Sequence, residues 1–303
     1  MIHFLYNFYL TQKNVNDKNR LFQGLYWSNY KYLKNALCKY HEKLRLKQLE
    51  VNLGSEIIVS LTSFPARINI VHLSVKSILN QTYKPKKVVL WLSAEQFPNQ
   101  EKELPKSILE LKKCGLEIEF CEDIKPHTKY LYAFKKYPKD LIVTIDDDIF
   151  YPRDVLEKLF VLSHKNPSCI IANRVREISF EENRFKPYRD WKINQVYNSE
   201  PSKKLIPTGV GGVLYRPSFF SESLFDIENI KKICLNADDI WLRANSLKND
   251  VSVVFTNYYF YPFIEIPTSQ EVNLHTTNVF LQDNDKQIKE VFAFLGINQQ
   301  SFQ

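Results

Sequence analysis

The chain has 303 residues, of which 44% are apolar and 25% charged, with only seven glycines and fourteen prolines. Such a composition supports one large domain, or two small ones, around a sizeable core, and it excludes disordered, collagen-like and repeat architectures. No apolar run reaches the roughly 20 residues of a membrane-crossing helix.

The five cysteines (Cys38, Cys114, Cys121, Cys169, Cys234) lack paired spacing. They read as reduced, buried thiols rather than a disulfide framework or a zinc site. The apolar opening Ile2–Leu10 has no basic residue ahead of it and no small-residue cleavage site behind it, so it does not read as a cleaved signal peptide.

The net charge of +7 is unevenly spread. Residues 1–50 carry nine cations against three anions, which is +6 and leaves +1 for the remaining 253 residues. A nucleic-acid-binding fold would carry its basic patch on the main domain, so no nucleic-acid partner is expected. From about Tyr26 to Glu50 the chain has no proline or glycine, and Tyr30, Leu33, Leu37, Tyr40 and Leu44 recur at helical spacing. Lysines line the other side. Two readings stay open: a basic amphipathic helix lying on an anionic membrane, or a helix packed on its own domain or a second copy, with solvated lysines.

From Ser55 the pattern alternates. Strands are predicted at 56–61, 87–92, 116–121, 141–145 and 168–173, and helices at 68–79, 102–113, 128–136 and 152–164. The second helix is closed by Gly115 and the third stops before Pro138. Strands alternating with helices of this length predict a mostly parallel sheet with helices on both faces. In such sheets the ligand site lies outside the carboxyl ends of the strands, which singles out 62–67, 93–97 and the loop after Ile145.

That last loop reads Asp146-Asp147-Asp148. Three adjacent carboxylates repel and raise one another's pKa, and a Mg²⁺ or Mn²⁺ ion shared with substrate phosphates removes the cost. The competing role is an N-terminal cap for the following helix, for which one Asp suffices. A second acidic pair, Asp238-Asp239, opens another helical run. Ahead of it Pro207-Thr-Gly-Val-Gly-Gly-Val213 holds three of the seven glycines, as a backbone approaching a ligand requires, or a plain turn. His275 is a chemically reasonable third ligand for a divalent transition metal.

Ser60-Leu-Thr-Ser-Phe-Pro-Ala-Arg67, then Ser77-Ile-Leu-Asn-Gln-Thr-Tyr83 and Lys87–Leu92, resemble the start of a family 2-type glycosyltransferase. Asp146–Asp148 is similar to the Asp-x-Asp motif of the GT-A fold, and Gly209–Gly212 with Asp238-Asp239 resembles the acceptor loop and Glu-Asp-type motif of inverting members. The resemblance covers roughly 55–280. It implies a GT-A (Rossmann-like) domain at 55–303, with a nucleotide-binding half at 55–173, an acceptor-binding half at 174–280 and a C-terminal helix at 281–303, preceded by a basic helical extension at 1–54.

By position, the resemblance implies that Thr62, Pro65, Arg67, Asp123 and Lys129 contact the nucleotide. Asp146 would touch ribose or metal, Asp147 a ribose hydroxyl, and Asp148 and His275 the metal. Asp239 would be the general base beside Asp238, its pKa lowered by the helix dipole. Gly211, Gly212, Trp191 and Arg189 would meet the acceptor. The implied activity is metal-dependent transfer of a sugar, with inversion, from a nucleotide-sugar (a UDP-sugar) to a hydroxyl of a glycan or lipid-linked acceptor in bacterial cell-surface polysaccharide synthesis. The implied setting is cytoplasmic, at the inner face of the plasma membrane, with self-association left open. Rival readings are a sugar-phosphate nucleotidyltransferase, whose glycine-rich first loop is missing between Leu61 and Arg67, and a non-catalytic membrane-associated protein on the same fold. Two departures stand out: Trp91-Leu-Ser93 where many relatives carry acids, and Asp-Asp for Glu-Asp at 238–239.

Overall fold

Ile57–Thr62 is an apolar, β-branched run, and it forms a strand whose side chains are buried from Ile57 to Leu61. A strand covered on both faces belongs inside a parallel sheet, and this one does. The structure is a computed structural model describing residues 20–182, 184–194, 199–257, 263–267 and 283–303, with 20–28 given as helical backbone alone.

In chain order the elements are α1 (Arg20–Lys43), β1 (Ile57–Thr62), α2 (Val71–Leu79), β2 (Lys87–Ser93), α3 (Lys106–Leu109), β3 (Leu116–Cys121), α4 (Thr128–Lys136), β4 (Leu141–Thr144), α5 (Val155–Lys165) and β5 (Ile170–Ala172). There follow β6 (Val175–Glu177), β7 (Phe180–Glu181), β8 (Arg184–Phe185), β9 (Lys192–Ile193), β10 (Leu205–Pro207), β11 (Val213–Tyr215), α6 (Ile227–Ile233), α7 (Asp238–Lys248), β12 (Val253–Phe255) and α8 (Asp283–Leu295).

Seven strands make the central sheet in the order β12-β5-β11-β4-β1-β2-β3. All neighbours run parallel except β11, which lies antiparallel between β4 and β5. The register is set by apolar positions: Val59 sits opposite Val143, and Leu61 opposite Leu90. Alternate residues of each strand feed separate cores, as a period of two requires. Ile57, Val59 and Leu61 face α1, α2 and α5, while Ile58 and Val89 face α4, α7 and α8. Small three- and two-stranded sheets, β10-β6-β9 and β7-β8, form a lobe between β5 and β11.

Between the two readings of the basic N-terminal helix, the described part of α1 packs on its own domain. Leu33, Leu37 and Leu44 are buried in the same core as β1 and α2. The helix stops at Lys43 rather than Glu50, where the Lys76 ammonium donates to the His41 and Glu42 carbonyls at 3.0 and 3.2 Å. That satisfies two terminal acceptors with a positive charge on the favourable end of the dipole. The His41 ring stacks on Phe150, centroids 5.0 Å apart.

The helix expected at 102–113 is broken into turns and the four residues of α3. Pro105, extended at ψ 146°, lacks an amide hydrogen and steers the residue before it away from helical backbone. Gly115 closes the segment at φ 99°, and a Cβ there would lie 2.5 Å from the Val51 methyls, so both backbone and space demand glycine. No described helix is long and apolar enough to cross a membrane.

Candidate active site

Four segments meet at the carboxyl edge of the parallel strands: the loop after β1, the acidic loop after β4, the glycine turn before β11, and the start of α7. Reversal of β11 brings the third one in. An antiparallel strand begins where its parallel neighbours end, so Gly209–Gly212 lands beside the acidic loop that follows β4.

Two cations and a hydroxyl hold the aspartates of that loop. Arg67 Nη1 lies 2.7 Å from Asp147 Oδ1 and 3.1 Å from Asp148 Oδ2, and Ser63 Oγ donates to Asp147 Oδ2 at 2.6 Å. Lys129, from the first turn of α4, puts its Nζ 2.8 Å from Asp146 Oδ1 and 2.9 Å from Asp238 Oδ2. One buried ammonium therefore ties the β4 loop to the start of α7. The Gly209 amide donates to both oxygens of Asp239, at 3.1 and 3.2 Å. A Cβ on residue 209 would sit 2.8 Å from Lys129 Nζ and 3.3 Å from Asp146 Oδ1, so a larger residue here would have to displace the ammonium. Tyr151 links the loops again: its hydroxyl accepts from the Asp146 amide at 2.9 Å and donates to the Val210 carbonyl at 3.2 Å.

Helix capping does not explain the triplet. α5 begins at Val155 after Asp154, and none of the three aspartates caps it. Among them Asp146 is the most open, with 30% of its side chain exposed against 7% for Asp147 and 12% for Asp148.

The electrostatics follow from burial. Loss of solvent, and then the Asp147 charge, push Asp148 up to about 7, and burial raises Asp147 despite Arg67. Asp239 does not follow the dipole expectation. Burial, then Asp238, lift it to about 8, and these outweigh the Gly209 amide. A helix dipole acts on a scale of about 0.3–1 kcal/mol, less than the cost of crowding acids away from water. Burial works against the charge of Lys129, but Asp146, Asp238 and Asp239 hold its pKa well above the ordinary lysine value.

The other expected residues are placed as follows. Thr62 Oγ1 donates to the Trp91 carbonyl at 2.9 Å, Pro65 is exposed, and Arg67 spends its guanidinium on the aspartates. Asp123 lies at the β3 end, accepting from Gln96 Nε2 at 2.6 Å and the Lys125 amide at 2.8 Å. Gly211 and Gly212 are buried and make the turn itself: Gly211 accepts from Asn173 Nδ2, and a Cβ there would meet Arg174 at 2.9 Å. Gly209, rather than these two, borders the acids. Trp191 is 2% exposed, its Nε1 donating to the Lys186 carbonyl, so it offers no face to an acceptor. The Arg189 side chain is open and lies 3.8 Å from Asp190. His275 lies outside the described residues. Ser63 and Tyr151 are residues of this cluster that sequence reasoning passed over, whereas Gly209 was expected in an acceptor loop and stands beside the acids.

Whether a divalent cation fits can be judged from charge and donor chemistry. Among the described residues, Asp146, Asp147, Asp148, Asp238 and Asp239 stand with the cations Arg67 and Lys129, so five minus two is a formal balance of three negative charges at full ionisation. The donors are all hard oxygens, the kind Mg²⁺ and Mn²⁺ take. Among the described residues no group of three or more His, Cys, Asp or Glu side chains is placed to hold a metal ion. The set fits an open site, in which one or two carboxylates hold the ion and substrate oxygens complete it.

No protein-family model matches the sequence, and neither does any curated protein. Among solved structures the chain is similar to S. aureus TarS 1–349 in complex with UDP, at 13% identity and TM-score 0.40, over 69% of this chain and 59% of that one. It is similar to the mannosyltransferase PcManGT from Pyrobaculum calidifontis in complex with GDP-Man and Mn²⁺, at 13% and 0.46, over 97% and 81%. It is also similar to CMP:2-keto-3-deoxy-manno-octonic acid synthetase complexed with CTP, at 11% and 0.41, over 76% and 100%. The chain spans about three fifths of the TarS structure. At such values these are likenesses of mixed α/β architecture alone.

Proposed function

We propose that the protein is a divalent-metal-dependent glycosyltransferase, moving a sugar from a UDP-sugar to a hydroxyl of a glycan or lipid-linked acceptor with inversion. The observation that carries the reading is the meeting of Asp146 with Asp238 and Asp239 through Lys129 and Gly209, at the strand ends where α/β sheets bind nucleotides.

Asp146 and Asp148 would hold the metal, which when bound supplies Lewis-acid neutralisation of the departing diphosphate. Arg67 keeps Asp147 and Asp148 in one arrangement, so the loop needs no reordering at each turnover. Gly209 fixes the Asp239 carboxylate by donating to both its oxygens. Asp239 takes the proton from the acceptor hydroxyl, for which a separation of about 3 Å is needed. A base whose pKa is raised toward the working pH is more effective than one held far below it, and burial and Asp238 raise that of Asp239. The crowded carboxylates also favour the positive charge of an oxocarbenium-like transition state.

Work on a lipid-linked acceptor would place the protein at the inner face of the plasma membrane, in cell-surface polysaccharide synthesis. The outer side of α1, with Lys31, Lys39 and Lys43 exposed, supports contact with anionic lipid.

Asp239→Asn is the direct test. Transfer should fall by about 10²- to 10⁴-fold, the usual share of a general base, while calorimetric binding of the nucleotide-sugar stays close to wild type. Turnover near the wild-type rate would remove Asp239 from the role.

A further inference from the structure

Among the described residues, Lys129 pairs with both acidic motifs. Its ammonium is 2.8 Å from Asp146 and 2.9 Å from Asp238, its side chain is 7% exposed, and the Gly209 backbone closes over it. Its own carbonyl accepts from Ser60 Oγ on β1, which fixes the start of α4 against the sheet. An ammonium carries three donors on a flexible stem, and two of its partners here come from segments far apart in sequence. It therefore does in the protein alone what a metal ion does in many acidic sites: it draws separate carboxylates together.

From this we infer that Lys129 is a resident cation that sets how tightly the site takes a divalent ion. The inference rests on the reading of Asp146 and Asp148 as metal ligands. Positive charge fixed beside Asp146 repels a second cation and occupies one of its oxygens, so the protein alone binds the metal weakly. A diphosphate brings the negative charge that tips the balance, and metal and donor then load together. Arginine at this position would preserve the effect, whereas a neutral side chain would abolish it.

The probe is Mn²⁺ alone, titrated into wild type, Lys129→Gln, Lys129→Arg and Asp148→Asn, with free ion read by electron paramagnetic resonance. Lys129→Gln should bind Mn²⁺ about tenfold more tightly than wild type or more, the scale on which one adjacent charge moves an ionic equilibrium. Lys129→Arg should match wild type. Should Lys129→Gln fail to fold, Lys129→Gln/Asp238→Asn is compared with Asp238→Asn, and the double variant should be the tighter binder. Equal or weaker binding in the lysine-free member of either pair overturns the inference. Wild-type binding that Asp148→Asn leaves untouched, or no Mn²⁺ binding in any variant, overturns the metal reading and this inference with it. Loss of Mn²⁺ binding in Asp148→Asn, with no change in Lys129→Gln, overturns the lysine inference alone.

Discussion

Replacing Arg67 by methionine keeps an unbranched stem and removes the guanidinium with its charge. In the folded protein Nη1 stands 2.7 Å from Asp147 and 3.1 Å from Asp148, both largely buried. Removing one partner of a buried ion pair costs about 3–5 kcal/mol, because the other is left uncompensated in a poor solvent for charge. For a chain of this size each kcal/mol moves the melting temperature by about 2 °C, so a drop of about 6–10 °C is expected at pH 8 in the presence of a chelator. The loss should depend on pH, in a direction the carboxyls fix. Asp148 stands at about 7 and Asp147 is raised, both above the unfolded value near 3.8–3.9. Groups raised by folding contribute their stability in full below the unfolded pKa and lose it as pH rises through the folded one. Without the guanidinium both rise further, so at pH 5.5 the variant can protonate them and should recover most of its melting temperature. Paired thermal melts of wild type and variant at the two pH values decide the matter. A loss under about 1 kcal/mol, or one equal at both pH values, would refute the idea that Arg67 compensates buried charge.

Two further predictions concern a core helix and a buried imidazole. Leu37 on α1 is fully buried in the main core, so Leu37→Ala should cost about 2–5 kcal/mol by denaturant unfolding, whereas Tyr32→Ala, at a site 68% exposed, should change stability by about 0.5 kcal/mol at most. Equal effects would mean that the helix is not docked as described. His127 is enclosed, 2.6 Å from the Cys234 carbonyl and 2.8 Å from the Tyr130 hydroxyl, and burial lowers its pKa to about 4. Its stabilisation is present above about 6.5 and lost as pH falls through 4, about 3 kcal/mol in all. Urea midpoints for His127→Gln should lack that part of the acid-side decline; an unchanged slope between pH 6.5 and 4 would show that the imidazole takes its proton in the folded protein as readily as in the unfolded chain.

The parallel half of the sheet was legible because its strands are long enough to show a period. Ile57–Thr62, Lys87–Ser93 and Leu116–Cys121 are six or seven residues each, and helical spacing separates them. From Val175 onward the strands are two or three residues long, too short for any pattern of alternation, and the lobe they form could not be foreseen. The acidic loop could be located by its composition, but not its wiring. That Lys129 joins Asp146 to Asp238, or that Arg67 serves Asp147 and Asp148, depends on loops far apart in the chain that the sheet brings together, which no local signal announces. The pKa of Asp239 was misjudged for the same reason. A helix start is visible in sequence, whereas the neighbours that crowd it are not.

The lobe of small sheets leaves the central sheet at Ala172 and returns at Val213, two residues paired directly across β5 and β11. Opposed residues of antiparallel strands lie only about 4.5–5.5 Å apart, so everything between them is spanned by a closed loop whose lengthening costs little entropy. Such a module can be enlarged or trimmed while the parallel strands keep their register, provided the glycine turn beside the acids is retained, which gives evolution, or a protein engineer, a place to change the surface without refounding the core.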